Sequence, residues 1–153
     1  MKSLRTWAPV FAWMLLIFLM SAAPGETSGE QSGRLLALLL SAFEWLTGVS
    51  PSPDALGTLE LLLRKGAHMA EYAVLFLLSR RAFSQSGSRR PDLHALLLCA
   101  AYAAGDELHQ CFVPDRGPSP VDVMIDTAGA LFALLARRLV HPLFRRRETH
   151  QNA

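Results

Sequence analysis

Three apolar segments of the chain each hold a cluster of ionisable residues in one half, and this pattern constrains the fold more than any other feature. The segments cover residues 59–83, 93–112 and 121–140. The clusters consist of Arg64, Lys65, His68 and Glu71, then Asp106, Glu107 and His109 beside the neutral amide of Gln110, then Asp122 and Asp126. An ionised side chain inside a bilayer is costly unless it is paired or hydrated, so such residues usually mark a functional site. If the segments cross a membrane in alternating directions, the three clusters meet on the same side.

Composition excludes several classes of protein. Of the 153 residues, 51% are hydrophobic, and the apolar stretches are nearly unbroken, which favours a membrane protein over a soluble helical domain. The net charge is only +2, and there is no glycine-rich phosphate loop, zinc-type cysteine spacing or internal repeat. We therefore expect no nucleic-acid partner, no metal and no cofactor. Cys99 and Cys111 lie in one predicted helix roughly 18 Å apart, too far to form a disulfide with each other.

A fourth apolar segment, residues 7–23, comes first in the chain. Lys2 and Arg5 precede its apolar run and small residues at 21–23 end it. These features fit both a retained membrane anchor and a cleavable secretory signal, of which we favour the anchor. Either outcome places the following loop outside the cytoplasm.

The sequence predicts an all-α, polytopic membrane helix bundle that forms a single domain over residues 1–153. Four transmembrane helices cover the four apolar segments. A further helix over residues 34–47 has too short an apolar stretch to span, so it lies at the interface or re-enters the membrane. Residues 24–31 are predicted to form a linker. Asp92 is predicted to cap the third span, and Pro120 to open the fourth.

The lysine and arginine residues predict the orientation of these spans. Under the alternating topology, 11 of the 15 basic residues fall on one side, which the positive-inside rule assigns to the cytoplasm. They are Lys2, Arg5, Arg80, Arg81, Arg89, Arg90, Arg137, Arg138, Arg145, Arg146 and Arg147. Both termini are therefore predicted to be cytoplasmic, and the three ionisable clusters to lie at the extracytoplasmic face.

Polar residues of the second span share one face at i, i+3 and i+4 spacing. They are Lys65, His68, Glu71 and Tyr72. A purely structural explanation also exists: Arg64 and Lys65 mark the membrane boundary by snorkelling, and His68 is a satisfied interior histidine. Glu71 resists that explanation, because it lies a further turn into the membrane.

The third span places Asp106 and Gln110 one turn apart, with Glu107 on a neighbouring stripe. Two adjacent acids on different stripes can serve two partners. The structural alternative is an ion pair of Asp106 or Glu107 with Lys65 or Arg116, which would only hold the bundle together. Such buried pairs are weak evidence for stability, because desolvation of both charges can exceed their attraction.

The fourth span begins with Ser119 and Asp122, which match the Ser-x-x-Asp form of a helix capping box. That local role alone can explain both residues. Asp126 has no capping role and needs a partner, for which Arg116 on the preceding loop is the reachable cation. Gly129 predicts a close approach between helices, as small residues do in membrane bundles.

Four motifs occur in a fixed order along the chain. They are Lys65-x-x-His68-x-x-Glu71-Tyr72, Asp106-Glu107-x-x-Gln110, Pro114-x-Arg116 and Ser119-x-x-Asp122-x-x-x-Asp126-x-x-Gly129. Together they resemble the VanZ-like family of small bacterial membrane proteins, although position 126 is often Asn in that family. The resemblance implies a multi-pass protein of the bacterial inner membrane. The family takes its name from a protein associated with resistance to the glycopeptide teicoplanin, and glycopeptides meet cell-wall precursors at the outer face.

Two functions are compatible with these residues. The first is a non-enzymatic protein whose extracytoplasmic pocket binds a membrane lipid headgroup or a lipid-linked cell-wall precursor. The residues expected to bind are Lys65, His68, Glu71, Tyr72, Asp106, Glu107, Gln110, Arg116, Ser119, Asp122 and Asp126. The alternative is a membrane-embedded hydrolase or transferase for a lipid-linked substrate, with His68 as general base and Asp106 or Glu107 orienting it. Transport is disfavoured, because the polar residues are confined to one half of the bundle.

Overall fold

The chain folds into five α-helices joined by short connections. This computed structural model describes the backbone of residues 2–151 and the side chains of residues 4–52 and 55–140, and within that part of the chain it contains no strand. The helices are α1 (Lys2–Ser21), α2 (Gly25–Thr47), α3 (Pro53–Gln85), α4 (Pro91–Gln110) and α5 (Pro120–Gln151). The prediction of an all-α chain is therefore confirmed.

Prolines and one glycine set most of the helix boundaries. Pro53, Pro91 and Pro120 each occupy the first position of a helix, where the missing N–H and the fixed φ are favourable. α2 ends at Gly48, whose φ of 69° is left-handed and whose N–H donates to the carbonyl of Glu44 at 2.8 Å. The prediction that Pro120 opens a helix is confirmed.

The prediction that residues 24–31 form a linker is wrong, because α2 begins at Gly25. The Gly25 N–H donates to the carbonyl of Pro114 at 3.3 Å, which ties the start of the helix to the loop before α5. The carboxylate of Glu26 lies in the first turn, where the helix dipole favours negative charge. These two contributions stabilise a helical start that the glycine and serine content alone disfavours.

The prediction that Asp92 caps a helix is also wrong. α4 begins one residue earlier, at Pro91, and its capping position is occupied by Arg90. The Asp92 carboxylate instead accepts a hydrogen bond from Nε of Arg80 at 2.7 Å. Arg137 and Arg138 of α5 approach the same carboxylate at 3.8 and 3.9 Å, so that one acid joins α3, α4 and α5 at this end of the bundle.

α5 extends beyond the predicted boundary at residue 140 and reaches Gln151, so the basic tail continues the helix. The side chains of Arg145, Arg146 and Arg147, like that of Lys2 at the other terminus, lie outside the described residues. The contribution of Lys2, Arg145, Arg146 and Arg147 to the orientation argument therefore rests on sequence.

α3 lies at the centre of the bundle and contacts each of the other four helices. Its buried side chains Tyr72, Leu75 and Phe76 belong to one core with Cys99 and Ala103 of α4. α1 and α5 complete this core, whereas within the described residues α2 contacts α3 alone among the helices and buries none of its side chains.

The described side chains are apolar outside and partly polar inside. Large apolar residues are exposed along α1, α4 and α5, among them Phe11, Leu15, Leu19, Leu97, Leu108, Met124, Phe132 and Leu139. The buried polar residues are Ser21, Ser79, Asp106, Glu107, Gln110 and Asp126. Soluble monomers rarely expose large contiguous apolar surfaces, and usually keep acids outside.

One described helix is long and apolar enough to cross a membrane, namely α1 over Leu4–Ser21. By length and composition alone this is weak evidence, because a signal sequence passes the same test. α4 contains Asp92, Asp106 and Glu107 within its 20 residues, which lowers its mean hydropathy. The prediction of four membrane spans therefore stays a prediction.

Candidate functional site

Two adjoining cavities lie where the end of α1 and the first halves of α2 and α3 meet the loop at residues 111–119. One has a volume of about 170 Å³ and lies between α1, α2 and α3. The other, which we call the loop-side cavity, has a volume of about 230 Å³ and is lined in part by the loop and the start of α5. Arg64, His68 and Arg116 line both of them. These cavities constitute the candidate site.

The two arginines reach the site from different elements. Arg64 lies on α3 one turn before His68, so both side chains point to the same side of that helix. Arg116 lies on the loop, where its N–H donates to the carbonyl of buried Val113 at 3.2 Å. Among the described residues, neither guanidinium forms an ion pair with a carboxylate. Both half-buried cations therefore remain available to an anionic ligand.

An ion pair between Lys65 and Asp122 forms the wall of the loop-side cavity and joins α3 to α5. Lys65 Nζ lies 2.5 Å from Asp122 Oδ1, and the two side chains are 28% and 27% exposed. The predicted alternative, in which Asp106 or Glu107 pairs with Lys65, does not occur in the described part of the chain. Asp122 lies in the first turn of α5 and faces α3, so it is the carboxylate that pairs with the Lys65 ammonium group.

Ser119 caps α5 as predicted, but a different acid completes the cap. The Asp122 N–H donates to Ser119 Oγ at 3.3 Å, which is half of a capping box. The other half would be a hydrogen bond from the Ser119 N–H to the Asp122 carboxylate. That N–H instead donates to Oε2 of Glu107 on α4 at 2.7 Å. Glu107 thereby frees Asp122 to pair with Lys65 and fixes the end of the loop that carries Arg116.

His68 lies between two carboxylates. Its Nδ1 is 3.7 Å from Asp126 Oδ1 and 4.0 Å from Glu71 Oε2, close enough for electrostatic interaction but longer than a hydrogen bond. Asp126 is 1% exposed, and its predicted pairing with Arg116 is absent from the described contacts. The two side chains do not pair because Asp126 lies two turns inside α5, whereas Arg116 faces the cavities.

The interior behind His68 is polar and incompletely hydrogen-bonded. Within the described residues, the hydroxyl of Tyr72 and Oδ1 of Asp126 have no hydrogen-bond partner. Gln110, by contrast, donates from Nε2 to Ser21 Oγ at 2.8 Å and so ties α4 to the end of α1. Buried polar atoms without partners are uncommon in natural proteins, and this concentration distinguishes the region from the apolar remainder of the core.

The structure divides the predicted residues into two groups. Six line the cavities: Lys65, His68, Glu71, Gln110, Arg116 and Asp122. The other five line neither cavity: Tyr72, Asp106, Glu107, Ser119 and Asp126. No group of three or more His, Cys, Asp or Glu side chains with the geometry of a metal site occurs in the part of the chain that the structure describes.

Sequence reasoning missed several lining residues. Arg64 is explained equally well as a snorkelling boundary residue, and Ser28 and Ser32 lie in or directly after the segment predicted as a linker. Their spacing of four residues is the signal that they share a helical face. Ser32 Oγ donates to the carbonyl of Ser28 at 2.9 Å, as a helical serine often does.

Comparison with known proteins gives one family. Neither the curated proteins nor the solved structures provide a match. The family model described as VanZ/LLP1 matches residues 6–141, a range that includes both cavities and every predicted site residue. The chain therefore belongs to the VanZ/LLP1 family.

Proposed function

We propose that the chain is a four-span protein of the bacterial inner membrane whose extracytoplasmic pocket binds the anionic headgroup of an envelope lipid or lipid-linked cell-wall precursor. The observation that carries the ligand class is the pair Arg64 and Arg116. Both guanidiniums line the same two cavities without a carboxylate partner among the described residues. Guanidinium groups bind phosphate in a bidentate, charge-assisted manner.

The membrane part of the proposal is supported by the distribution of polarity. Exposed apolar side chains cover α1, α4 and α5, while acids are buried between the helices. α1 also supplies the buried core residues Val10 and Ile17, and the carbonyl of Met14 accepts a hydrogen bond from Tyr102 at 2.6 Å. Such integration supports α1 as a retained span rather than a cleaved signal.

The position of α2 supports an interfacial rather than a spanning helix. In the part of the chain that the structure describes it contacts only α3 among the helices, and its apolar side chains Leu38, Phe43 and Leu46 are exposed. Trp45 near its end is 84% exposed, and tryptophan is favoured at the headgroup level. A helix of this kind lies in the membrane plane beside the cavities.

The decisive experiment measures lipid retention. The full-length protein is purified in detergent with equal amounts of phosphatidylglycerol and phosphatidylcholine, and bound lipids are counted by native mass spectrometry. Replacing Arg64 and Arg116 together by Gln removes the charge-assisted hydrogen bonds to the phosphate, each of which contributes about 1.5 kcal/mol or more, so retention of phosphatidylglycerol should fall at least about tenfold.

The matched control replaces Arg81 and Arg89 by Gln. Both side chains are exposed at the opposite end of the bundle, and neither forms an ion pair within the described residues. This double variant should retain phosphatidylglycerol as the wild type does. Equal loss in both double variants would mean that retention reflects overall charge, and no loss in the Arg64/Arg116 variant would refute the site.

The enzymatic alternative has one supporting contact, the approach of the Asp126 and Glu71 carboxylates to His68. A base oriented by a carboxylate is the arrangement that hydrolases and transferases use. Turnover of a lipid-linked phosphate ester by the wild type, abolished in His68→Ala, would favour it. Retention of unchanged lipid over the same time favours the binding function.

Membership in the VanZ/LLP1 family connects this proposal to glycopeptide susceptibility. A protein that binds lipid-linked precursors at the outer face competes with the antibiotic for its target. Expression of the wild-type chain in a teicoplanin-sensitive host should therefore reduce susceptibility, and the Arg64/Arg116 double variant should not. Equal susceptibility with and without the wild-type chain would separate the binding function from antibiotic response.

A further inference from the structure

The two cavities share a wall but differ in what else lines them. The loop-side cavity is lined by charged and amide groups, including Lys65, Gln110, Asp115 and Asp122. The cavity between α1, α2 and α3 is lined by the apolar residues Met20, Leu35, Leu63 and Ala67 as well as by polar side chains. Arg64, His68 and Arg116 stand where the polar and the apolar space meet. This arrangement matches a molecule with a charged end and an apolar end.

We infer that the site takes a phosphate-bearing amphiphile whose phosphate lies at Arg64 and Arg116 and whose first chain carbons enter the cavity between α1, α2 and α3. The inference rests on the proposed function and specifies it, because a headgroup site needs only the arginines. The cavity between α1, α2 and α3, which we call the apolar cavity, and α2 itself then belong to the binding site.

The volume of the apolar cavity sets how much chain it holds. An apolar cavity of about 150 Å³ accommodates a benzene molecule, so the observed 170 Å³ holds about six carbon atoms. A longer chain must therefore leave the cavity. Leu38 and Leu39 follow Leu35 at i+3 and i+4 on α2 and are 69% and 48% exposed, so they continue the apolar surface outward.

The polar side chains of α2 do not oppose this placement. Ser28 and Ser32 line the same cavity, and Ser32 Oγ lies 3.2 Å from Glu60 Oε1 as well as donating to its own helix. The Ser32 hydroxyl is therefore engaged within the protein. No carboxylate other than that of Glu71 lines this cavity among the described residues, and it lies beside His68.

A series of alkyl phosphates tests the inference on the wild-type protein purified in a maltoside detergent, which carries no phosphate. Methyl phosphate reports on the headgroup site, and propyl, hexyl and decyl phosphate report on the chain. Burial of one methylene contributes about 0.8 kcal/mol, so affinity should rise up to about fourfold per added carbon and level off near six carbons.

Filling the cavity separates its effect from partitioning of the alkyl phosphates into the detergent micelle. Ala67→Phe projects a ring into the cavity from α3, and Gln31→Trp does so from α2. Each should remove most of the gain between methyl and hexyl phosphate. Ala104→Phe is the matched control, because Ala104 is exposed on α4 and lines neither cavity.

The outcomes distinguish this inference from the proposed function. If methyl phosphate binds and its binding requires Arg64 and Arg116, but chain length has no effect that Ala67→Phe or Gln31→Trp removes, the amphiphile inference is overturned and the headgroup site stands. If no alkyl phosphate responds to loss of the two arginines, the proposed function itself fails. A chain-dependent gain abolished by either filling variant supports both.

Discussion

The backbone of Gly129 on α5 packs directly against the carbonyl group of Met69 on α3. A β-carbon added at Gly129 would collide with the carbonyl carbon, the oxygen and the α-carbon of Met69. Close approach at a glycine confirms what the sequence predicts for this position. Since Met69 follows His68 and Gly129 lies one turn after Asp126, this contact also fixes the distance between those two side chains.

Gly129→Ala should destabilise the protein. The obstacle is backbone on both sides, so the helices must separate, and overpacking of this kind costs about 1–3 kcal/mol. Thermal unfolding of the purified variant in detergent measures the change. Gly105→Ala is the control, because nothing lies within 4 Å of a β-carbon at that position and alanine favours a helix. Equal unfolding temperatures for the Gly129 variant and the wild type would contradict the close approach.

The ion pair between Lys65 and Asp122 should contribute measurably to stability. Its side chains are 28% and 27% exposed, so its contribution lies between that of a surface pair and a fully buried one. We expect Lys65→Met or Asp122→Asn alone to cost about 1–3 kcal/mol, since each leaves the other charge unpaired. The double variant should recover part of that loss.

A surface pair provides the control for this experiment. Glu30 and Arg34 lie 3.5 Å apart on α2, with side chains 62% and 83% exposed. Glu30→Gln should therefore change the free energy of unfolding by less than about 0.5 kcal/mol. Strictly additive losses in the Lys65/Asp122 double variant would show that the two residues do not interact.

Glu107 should affect ligand binding without contacting the ligand. Its carboxylate accepts the Ser119 N–H at 2.7 Å and so holds the end of the loop that carries Arg116. Glu107→Ala leaves that N–H without its partner, at a cost of about 1–3 kcal/mol, and frees the loop. Glu107→Gln keeps an acceptor oxygen and should bind phosphatidylglycerol more strongly than the alanine variant does.

The stability of the same variants identifies the role of Glu107. A positioning residue should lower both the unfolding temperature and lipid retention in the alanine variant, with partial rescue of both by glutamine. Leu108→Ala, at an exposed neighbouring position, serves as the control. If Glu107→Ala lowers lipid retention at an unchanged unfolding temperature, Glu107 contacts the ligand directly.

Much of the fold was predictable because it follows from local patterns. Long apolar stretches predict helices, and Pro120 and Ser119 mark the start of α5 by their own chemistry. The failures involve tertiary contacts that no local pattern contains. Asp92 is a good capping residue, but α4 already begins at Pro91, and the Asp92 carboxylate accepts a hydrogen bond from Arg80.

The site shows the same division. Spacing along α3 and α5 predicts which side chains share a face, and the motifs predict which residues meet. Spacing does not predict which acid pairs with which base, because that depends on the rotation of each helix toward α3. Asp122 therefore pairs with Lys65, whereas Glu107, one of the two acids in the structural alternative, accepts a hydrogen bond from the Ser119 N–H.

The orientation of the chain in the membrane is tested by cysteine labelling in intact cells. Cys111 is exposed and Cys99 is buried, so Cys111→Ser and Cys99→Ala provide the background. Single cysteines at positions 55, 88, 117 and 150 are then probed with a membrane-impermeant thiol reagent. Because 11 of the 15 basic residues flank the proposed cytoplasmic ends, positions 55 and 117 should be labelled and positions 88 and 150 should not.

Permeabilised cells supply the control, since all four positions should react once the reagent has access to both sides. Position 117 is the most informative of the four, because Gly117 lines the loop-side cavity beside Arg116. Labelling at 117 in intact cells means that Arg64 and Arg116 face the cell envelope, where lipid-linked precursors are found. Labelling at 88 and 150 instead would place the cavities on the cytoplasmic side, and an extracytoplasmic ligand would then be ruled out whatever its headgroup.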